Sequence, residues 1–474
     1  MKIKIGAKEV IWSYLAMGMS MGANVIMLPF MLHYLSGDML GLWYVFGSLG
    51  AITSLFDSGF SVTFARNITY CWSGVDTLRK EKASVAKNCE LDFYLIKKVL
   101  TTCRYVYLFI SLAAMLILLT GGTVYVHYVS SGVEEQDYLI AWWVYSFAVF
   151  LNLYYGYYSA FLRGVGAISS VNKNMVISRT IHIVLTVGFL CSGFGLLGVC
   201  IAYLSYGVVF RLLGKHSFYR YEEIGERLSK IRKKVDKSEI KELFSIVWHN
   251  AFKECIISVS NYICNYASTL LISFYLSLTE TGIYSLSQQI AALIATVSST
   301  LFATFGVALQ EAYVTGDKNR ERKIMSFIVM VYCYLFLVGT ALAVTLGVSL
   351  IKIIKRDVGI SVPILLLLCL YQFVLKYRNC YTAYFSNTNR VPYVKSFLAS
   401  AILSLILSYI SIGVFNFGIW GLVISQIVSQ VVYNFWYWSY LAHKELQLTV
   451  AKVVDIGTKE IVQYSSRYIK RIFK

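Results

Sequence analysis

The sequence predicts an all-α integral membrane protein with about twelve transmembrane helices arranged as two parallel six-helix repeats. Three observations lead there: an apolar composition, apolar runs of about 20 residues, and motifs that return at a nearly constant offset. Of the 474 residues 57% are hydrophobic and 14% are charged, with only three prolines. Soluble folds average roughly a quarter charged residues, so a chain this long and this apolar needs lipid as its solvent. Helix is preferred to a β-barrel because the runs are continuously apolar rather than alternating, and backbone groups in lipid must be satisfied within the segment.

A run of about 20 apolar residues crosses a hydrocarbon core of roughly 30 Å. Cutting the chain at its charge clusters and turn signals gives six spans in the first half: Val10 to Tyr34, Leu40 to Val62, Tyr105 to Val129, Leu139 to Leu162, Asn174 to Ser192 and Leu196 to Leu213. Six more follow: Phe244 to Leu276, Gly282 to Ala308, Ile324 to Ile351, Gly359 to Leu375, Tyr393 to Phe415 and Ile419 to Leu441. The expected organisation is an N-terminal lobe over 1–213, a cytoplasmic linker over 214–243, a C-terminal lobe over 244–441 and a tail over 442–474. Alternating Lys and Arg with apolar residues, the tail from Val450 to Lys474 reads as an amphipathic helix on the anionic inner leaflet.

The 43 Lys and Arg against 25 Asp and Glu leave a net charge of +18, which on a soluble domain would point to nucleic acid. Their distribution argues otherwise. Forty of the 43 fall on alternate connections, divided among seven segments, while the opposite side holds only Lys352, Lys355 and Arg356. By the positive-inside rule the rich side is cytoplasmic, so both termini are expected there. The first span is too long for the apolar region of a cleavable signal and should act as an anchor. The ten cysteines show no metal-like pairing and read as small apolar fillers, so no metal or cofactor is expected.

Tyr34-Leu35-Ser36 followed by Gly41-Leu42-Trp43 returns as Tyr275-Leu276-Ser277 followed by Gly282-Ile283-Tyr284, 241 residues later. Phe194-Gly195-Leu196-Leu197-Gly198 returns as Phe417-Gly418-Ile419-Trp420-Gly421 after 223. Six spans per half return the chain to its starting side, so the halves should be parallel repeats.

Lipid gives a helix no reason to keep amides or charges, so polar faces inside spans should look at a partner helix or a wet cavity. Candidate amides are Asn24, Asn265, Gln288 and Gln372, accompanied by Ser13, Ser20, Asn152, Ser159, Asn250, Asn261, Gln426 and Gln430. Candidate cations are Arg163, Arg179, Lys253, Lys376 and Arg378, for which snorkelling to the headgroups is the competing role. Arg179 lies about two turns into its span, with His182 one turn beyond. Among acids, Asp57 is open to three roles: a helix cap, a partner of Arg66, or an ion-coupling group; Glu254 is a second coupling candidate. Pro29 should bend the first span.

Leu28-Pro29-Phe30, Gly41-Leu42-Trp43, Asp57-Ser58-Gly59-Phe60, Thr63 and Ala65-Arg66-Asn67-Ile68 together resemble the opening of the polysaccharide exporter family, which contains the Wzx-type O-antigen flippases. That family sits in the larger multidrug/oligosaccharidyl-lipid/polysaccharide exporter group. The specific motif covers roughly the first 75 residues, and the architecture covers the chain. The resemblance implies a V-shaped pair of six-helix lobes in a bacterial cytoplasmic membrane and an undecaprenyl-diphosphate-linked glycan as cargo. It also places the arginine of the family's Ala-Arg motif on Arg66. In that reading Arg66, Arg163, Arg179, Lys253, Lys376 and Arg378 supply the cations for a diphosphate, with arginine suited to fork-like phosphate contacts. Asn24, Asn265, Gln288 and Gln372 would meet sugar hydroxyls. Membrane lipids are the other expected partners, with polysaccharide polymerase and chain-length machinery as further candidates and no nucleic acid. The alternatives are a cation-coupled multidrug exporter of the same fold and, behind it, a membrane polymerase or ligase. The last would need an external catalytic surface that these short outer loops do not offer.

Overall fold

The computed structural model describes residues 7–72, 91–131, 133, 137–300, 317–354, 359–387 and 392–472, with 302, 305, 309, 312, 313 and 316 between them. Every regular element among the described residues is helical. In chain order they are α1 (Ala7–Tyr34), α2 (Gly37–Ala51), α3 (Thr53–Trp72), α4 (Phe93–Ile117), α5 (Thr123–Val129), α6 (Tyr138–Tyr154), α7 (Tyr157–Gly164), α8 (Ile168–Cys191), α9 (Gly195–Arg220) and α10 (Ile224–Ser229). There follow α11 (Lys237–Tyr262), α12 (Ser268–Tyr275), α13 (Leu278–Ser298), α14 (Lys318–Leu342), α15 (Val348–Ile354), α16 (Val362–Asn387), α17 (Val394–Tyr409), α18 (Gly418–Val431), α19 (Asn434–Leu446) and α20 (Val450–Ile472).

Each of the twelve expected spans coincides with helix where it is described, the end of the eighth falling largely outside the described residues, and eight helical runs among the described residues are long and apolar enough to cross a membrane. The chain is a multi-pass membrane protein. Its helices are more often interrupted than apolar runs suggest. The second span is divided at Ile52, where the Thr53 hydroxyl donates to the Gly50 carbonyl at 2.7 Å. The fourth is divided at Tyr155 and Gly156.

The duplication shows in local structure. Ser36 caps α2, its hydroxyl accepting from the Met39 amide at 3.2 Å, and Ser277 caps α13 with a reciprocal capping box to Glu280. The second pair of strings also folds alike: Gly195 and Gly418 take φ of +53° and +59° to open α9 and α18, a conformation that suits glycine. A third correspondence is invisible in the residues. A 25-residue helix, a five-residue π segment and a seven-residue helix run from Phe93 to Val129 and again from Lys318 to Ile354, an offset of 225. Inside the two π segments Thr120 and Thr345 donate to the carbonyls of Leu116 and Ala341 at 2.7 and 2.8 Å. Such threonine back-bonding competes with the regular ladder.

The chain divides into two compact units, Met1–Tyr262 and Ile263–Lys474. The division falls inside the seventh expected span, because α11 packs on α3 and α4 within the first unit. The first unit is held by an aromatic core in which Phe64, Tyr107, Tyr157, Phe161 and Phe218 are all buried. Residues 214–243 are far from a loose tether: α9 runs on to Arg220, α10 buries Ile224 and Leu228 in that core, and Lys97 Nζ donates to the carbonyls of Ile231 and Lys233 at 2.7 and 3.0 Å.

In the second unit, α13 packs on α16, α17 on α18, and α20 on α14. Gly457 makes the last contact possible, since a Cβ there would stand 2.5 Å from the Ser326 carbonyl and 2.4 Å from Met330 Cγ. Lys323 and Glu460 pair across this seam at 3.3 Å, and Arg322 donates to the Leu446 carbonyl at 2.6 Å. The tail forms the expected helix, with its side lying on protein as well as any membrane surface.

Candidate functional site

In the first unit, helices α3, α4, α7, α8 and α9 bring charged and aromatic groups together. Asp57 is half-buried in α3, where its Oδ1 accepts a 2.5 Å bond from the Tyr107 hydroxyl of α4. It therefore does not cap the helix; among the described residues the cations whose charges act on it are Arg211 and Arg163, and the expected partner Arg66 has its side chain outside them. Arg211 Nη1 donates to Ser159 Oγ of α7 at 3.3 Å, and its guanidinium lies 4.8 Å from the Phe210 ring centre. Arg179 of α8 places its guanidinium 4.4 Å from the Tyr206 ring centre on α9. His182 is 2% exposed, stacks on Tyr206 at 5.4 Å, and neither ring nitrogen has a protein partner among the described residues.

Around them the aromatic faces continue. Tyr203 stacks on Tyr145 at 5.3 Å, and Trp43 of the Gly41-Leu42-Trp43 motif meets both edge-on at 6.0 and 6.3 Å. Asn152 lies against Gly207, where an added Cβ would fall 2.2 Å from its Oδ1. No described carboxylate forms an ion pair with Arg163, Arg179 or Arg211. Arg179 and Arg211 lie against a hydroxyl and ring faces, which hold a guanidinium without neutralising it. Such an arrangement can bind an anion and stack against sugar or other flat faces.

Arg211 is the residue that sequence reasoning missed. Its position inside the Leu196 to Leu213 span is the sign that could have found it, the same one that marks Arg179.

The second unit holds its polar groups differently. Arg378 is 2% exposed, its guanidinium 3.7 Å from the Phe397 ring centre, with Nη1 donating to Gln430 Oε1 and Nε to Asn379 Oδ1 at 3.2 Å. Tyr371 donates to the Cys264 carbonyl at 2.7 Å and Gln426 Nε2 to Ser268 Oγ at 3.0 Å. Gln288 on α13 and Gln372 on α16 are buried, each with one amide atom lacking a partner among the described residues. These are interior contacts between neighbouring helices.

The remaining candidates scatter. Asn24 and Arg163 are exposed, while Lys376 and Asn265 are half-buried, the latter within the π segment Ile263–Ala267. The side chains of Arg66, Lys253 and Glu254, like those of Ser13 and Asn250, lie outside the described residues. No group of three or more His, Cys, Asp or Glu that could hold a metal occurs among the described residues.

No family model matches the sequence, and no curated protein matches it either. Solved structures do match. The inward-facing conformation of a multidrug resistance MATE family transporter of the MOP superfamily aligns over 93% of this chain and 99% of its own, with a TM-score of 0.68 at 14% identity. An outward-facing MATE family transporter of the same superfamily aligns over 93% and 95%, with a TM-score of 0.55 at 15% identity. A MATE in complex with MaD3S gives 93%, 96%, 0.57 and 14%. At these identities the likeness establishes the fold, and the chain has the fold of the MATE transporters of the MOP superfamily.

Proposed function

We propose that the protein is a flippase that moves a polyprenyl-diphosphate-linked oligosaccharide from the inner to the outer leaflet of a bacterial cytoplasmic membrane by alternating access. The observation that carries this reading is the cationic character of the first unit's polar region. Arg179 and Arg211, both half-buried, share it with Asp57, and among the described residues no carboxylate forms an ion pair with either. Burying an uncompensated cation costs several kcal/mol, and a diphosphate is a ligand that would offset it with charge-assisted contacts to the guanidinium fork. Tyr145, Tyr203, Tyr206 and Trp43 offer the ring faces a glycan needs. The opening motif from Leu28 to Ile68 and the transporter fold support the same reading.

The candidate set follows the geometry. Arg179 and Arg211 lead; Arg163 on α7, Arg66 and the exposed Asn24 remain candidates. Lys253 and Lys376 keep their place in the pool, while Arg378, Gln288 and Gln372 are better suited to holding the second unit together. Asp57 is the coupling candidate, joined by Glu254.

The fold itself favours one other reading, since its solved examples include multidrug resistance transporters. A site for organic cations is expected to present acids, and the excess here is of the opposite sign.

Leaflet-resolved labelling of the lipid-linked glycan in a strain lacking this protein is the discriminating experiment. Restoring the wild type should move the label outward. The double variant Arg179→Ala, Arg211→Ala, at equal membrane abundance, should cut that movement at least about tenfold, given roughly 1.5–3 kcal/mol for a hydrogen bond to a charged group. Full transport by the double variant would remove these arginines from the reading. Restored drug efflux with no change in glycan sidedness would favour the multidrug alternative.

A further inference from the structure

The first unit carries a cavity of about 570 Å³ between α3, α4 and α11, within the roughly 300–1,000 Å³ of small-ligand pockets. Its wall on α11 is a single stripe: Lys237, Lys241, Phe244, Trp248, Phe252 and Cys255 follow at intervals of four, three, four, four and three residues, which puts them on one helix face. The stripe is basic in its first turns and apolar after that. Phe244, Trp248 and Phe252 stack successively at 5.9 and 6.1 Å, and Trp248 rests 6.0 Å from Phe60 of α3. Across the groove Phe109 of α4 is 75% exposed.

The acids of the same helix end are engaged by α4. Lys98 of α4 lies 3.9 Å from Glu239 and 3.6 Å from Glu242, and Tyr94 donates to Glu239 at 2.7 Å. The Tyr94 hydroxyl holds the Glu239 carboxyl below the usual range, so this acid stays ionised and held by α4, while Glu242 lies beside Lys241 at the surface. Asp236 accepts from Ser238 and from the Lys237 amide. Lys237 and Lys241 are exposed and have no carboxylate partner among the described residues.

We propose that this groove is a specific site for one membrane phospholipid of net negative charge, with its phosphate between Lys237 and Lys241 and one acyl chain along Phe244, Trp248 and Phe252. Length selects this occupant over the polyprenyl tail of a cargo. Eleven residues separate Lys241 from Phe252, about 16 Å of helix at 1.5 Å per residue, which matches half of a hydrocarbon core of roughly 30 Å. One leaflet's chain fills it. The lysines belong to the most basic connection of the chain, the expected cytoplasmic side, where anionic headgroups concentrate. This site is independent of the transport reading, and its test reads no transport.

The test is fluorescence quenching of the purified full-length protein by lipids brominated on the acyl chain. Brominated phosphatidylglycerol should quench at concentrations about thirtyfold lower than brominated phosphatidylcholine, given about 1 kcal/mol for each of the two lysines near an anionic surface. Trp248→Phe should abolish the phosphatidylglycerol-selective part. Lys237→Ala with Lys241→Ala should remove the selectivity and leave the apolar contact, whereas Lys230→Ala with Lys234→Ala, an equal change of charge, should leave it intact. Equal quenching by the two lipids, or selectivity that survives Lys237→Ala with Lys241→Ala, overturns the proposal. So does displacement of phosphatidylglycerol by undecaprenyl phosphate at lower concentration, which would assign the groove to a prenyl chain.

Discussion

At the residue scale, burial divides arginines that look equivalent in the sequence. Arg378 and Arg179 both sit inside apolar helices, yet Arg378 is enclosed, bonded to Gln430 and Asn379 and pressed on Phe397, while Arg179 is half-buried on the face of Tyr206. Removing Arg378 strips Gln430 Oε1 of its donor and leaves a cavity. Arg378→Ala should therefore lower stability by at least about 2 kcal/mol, from an unsatisfied buried acceptor plus lost packing. Arg378→Lys should recover little, because a point charge cannot reproduce the fork. Arg179→Ala should leave the unfolding temperature nearly unchanged. Thermal unfolding in detergent separates them, and equal destabilisation by Arg179→Ala would undo the distinction. The sequence located Arg179 inside a span and Arg378 just past the end of one; which one is enclosed depends on Phe397 and Gln430, 19 and 52 residues away, and no local pattern carries that.

At the element scale, the α14 and α20 seam turns on a glycine. A Cβ at Gly457 would meet the Ser326 carbonyl, which is backbone and cannot swing aside. Overpacking of this kind costs about 1–3 kcal/mol, so Gly457→Leu should release α20 from α14 while the helices inside the membrane keep their fold. Hydrogen exchange over residues 450–463 should accelerate, as should proteolysis of the tail; an unchanged exchange pattern would mean the seam does not depend on this contact. The amphipathic alternation made a helix legible here. Its docking was not, because a stripe that suits a headgroup layer equally suits another helix, and only Gly457 opposite Ser326 distinguishes them. The 25-5-7 pattern of spans three and nine was hidden for a related reason: a π segment is an irregularity of hydrogen bonding, and Leu118–Gly122 and Ala343–Gly347 share only a threonine and a terminal glycine.

At the scale of the whole molecule, charge sets orientation and the helices set the number of crossings. The positive-inside rule counts Lys and Arg in short connections, and here the imbalance of forty to three predicts a cytoplasmic rich side. Arg220, Lys230 and the start of α11 at Lys237 belong to the rich side; the turn at Ser130 and Ser131 and the stretch after Ile354 belong to the poor side. Twelve helical spans make an even number of crossings, so the N-terminus, residues 221–236 and the end of α20 should share one compartment, and the turn at 130–131 should face the other. Single cysteines at Lys230, Ser131 and Val462, in a background with the native cysteines replaced, test this with a membrane-impermeant maleimide on intact cells. Ser131 should label in intact cells; Lys230 and Val462 should label only after permeabilisation. Labelling of Lys230 and Ser131 from the same side would break the alternation and with it the count of spans between them. Labelling of all three on the opposite sides would keep the fold and invert the molecule, placing the Lys237 and Lys241 groove in the outer leaflet.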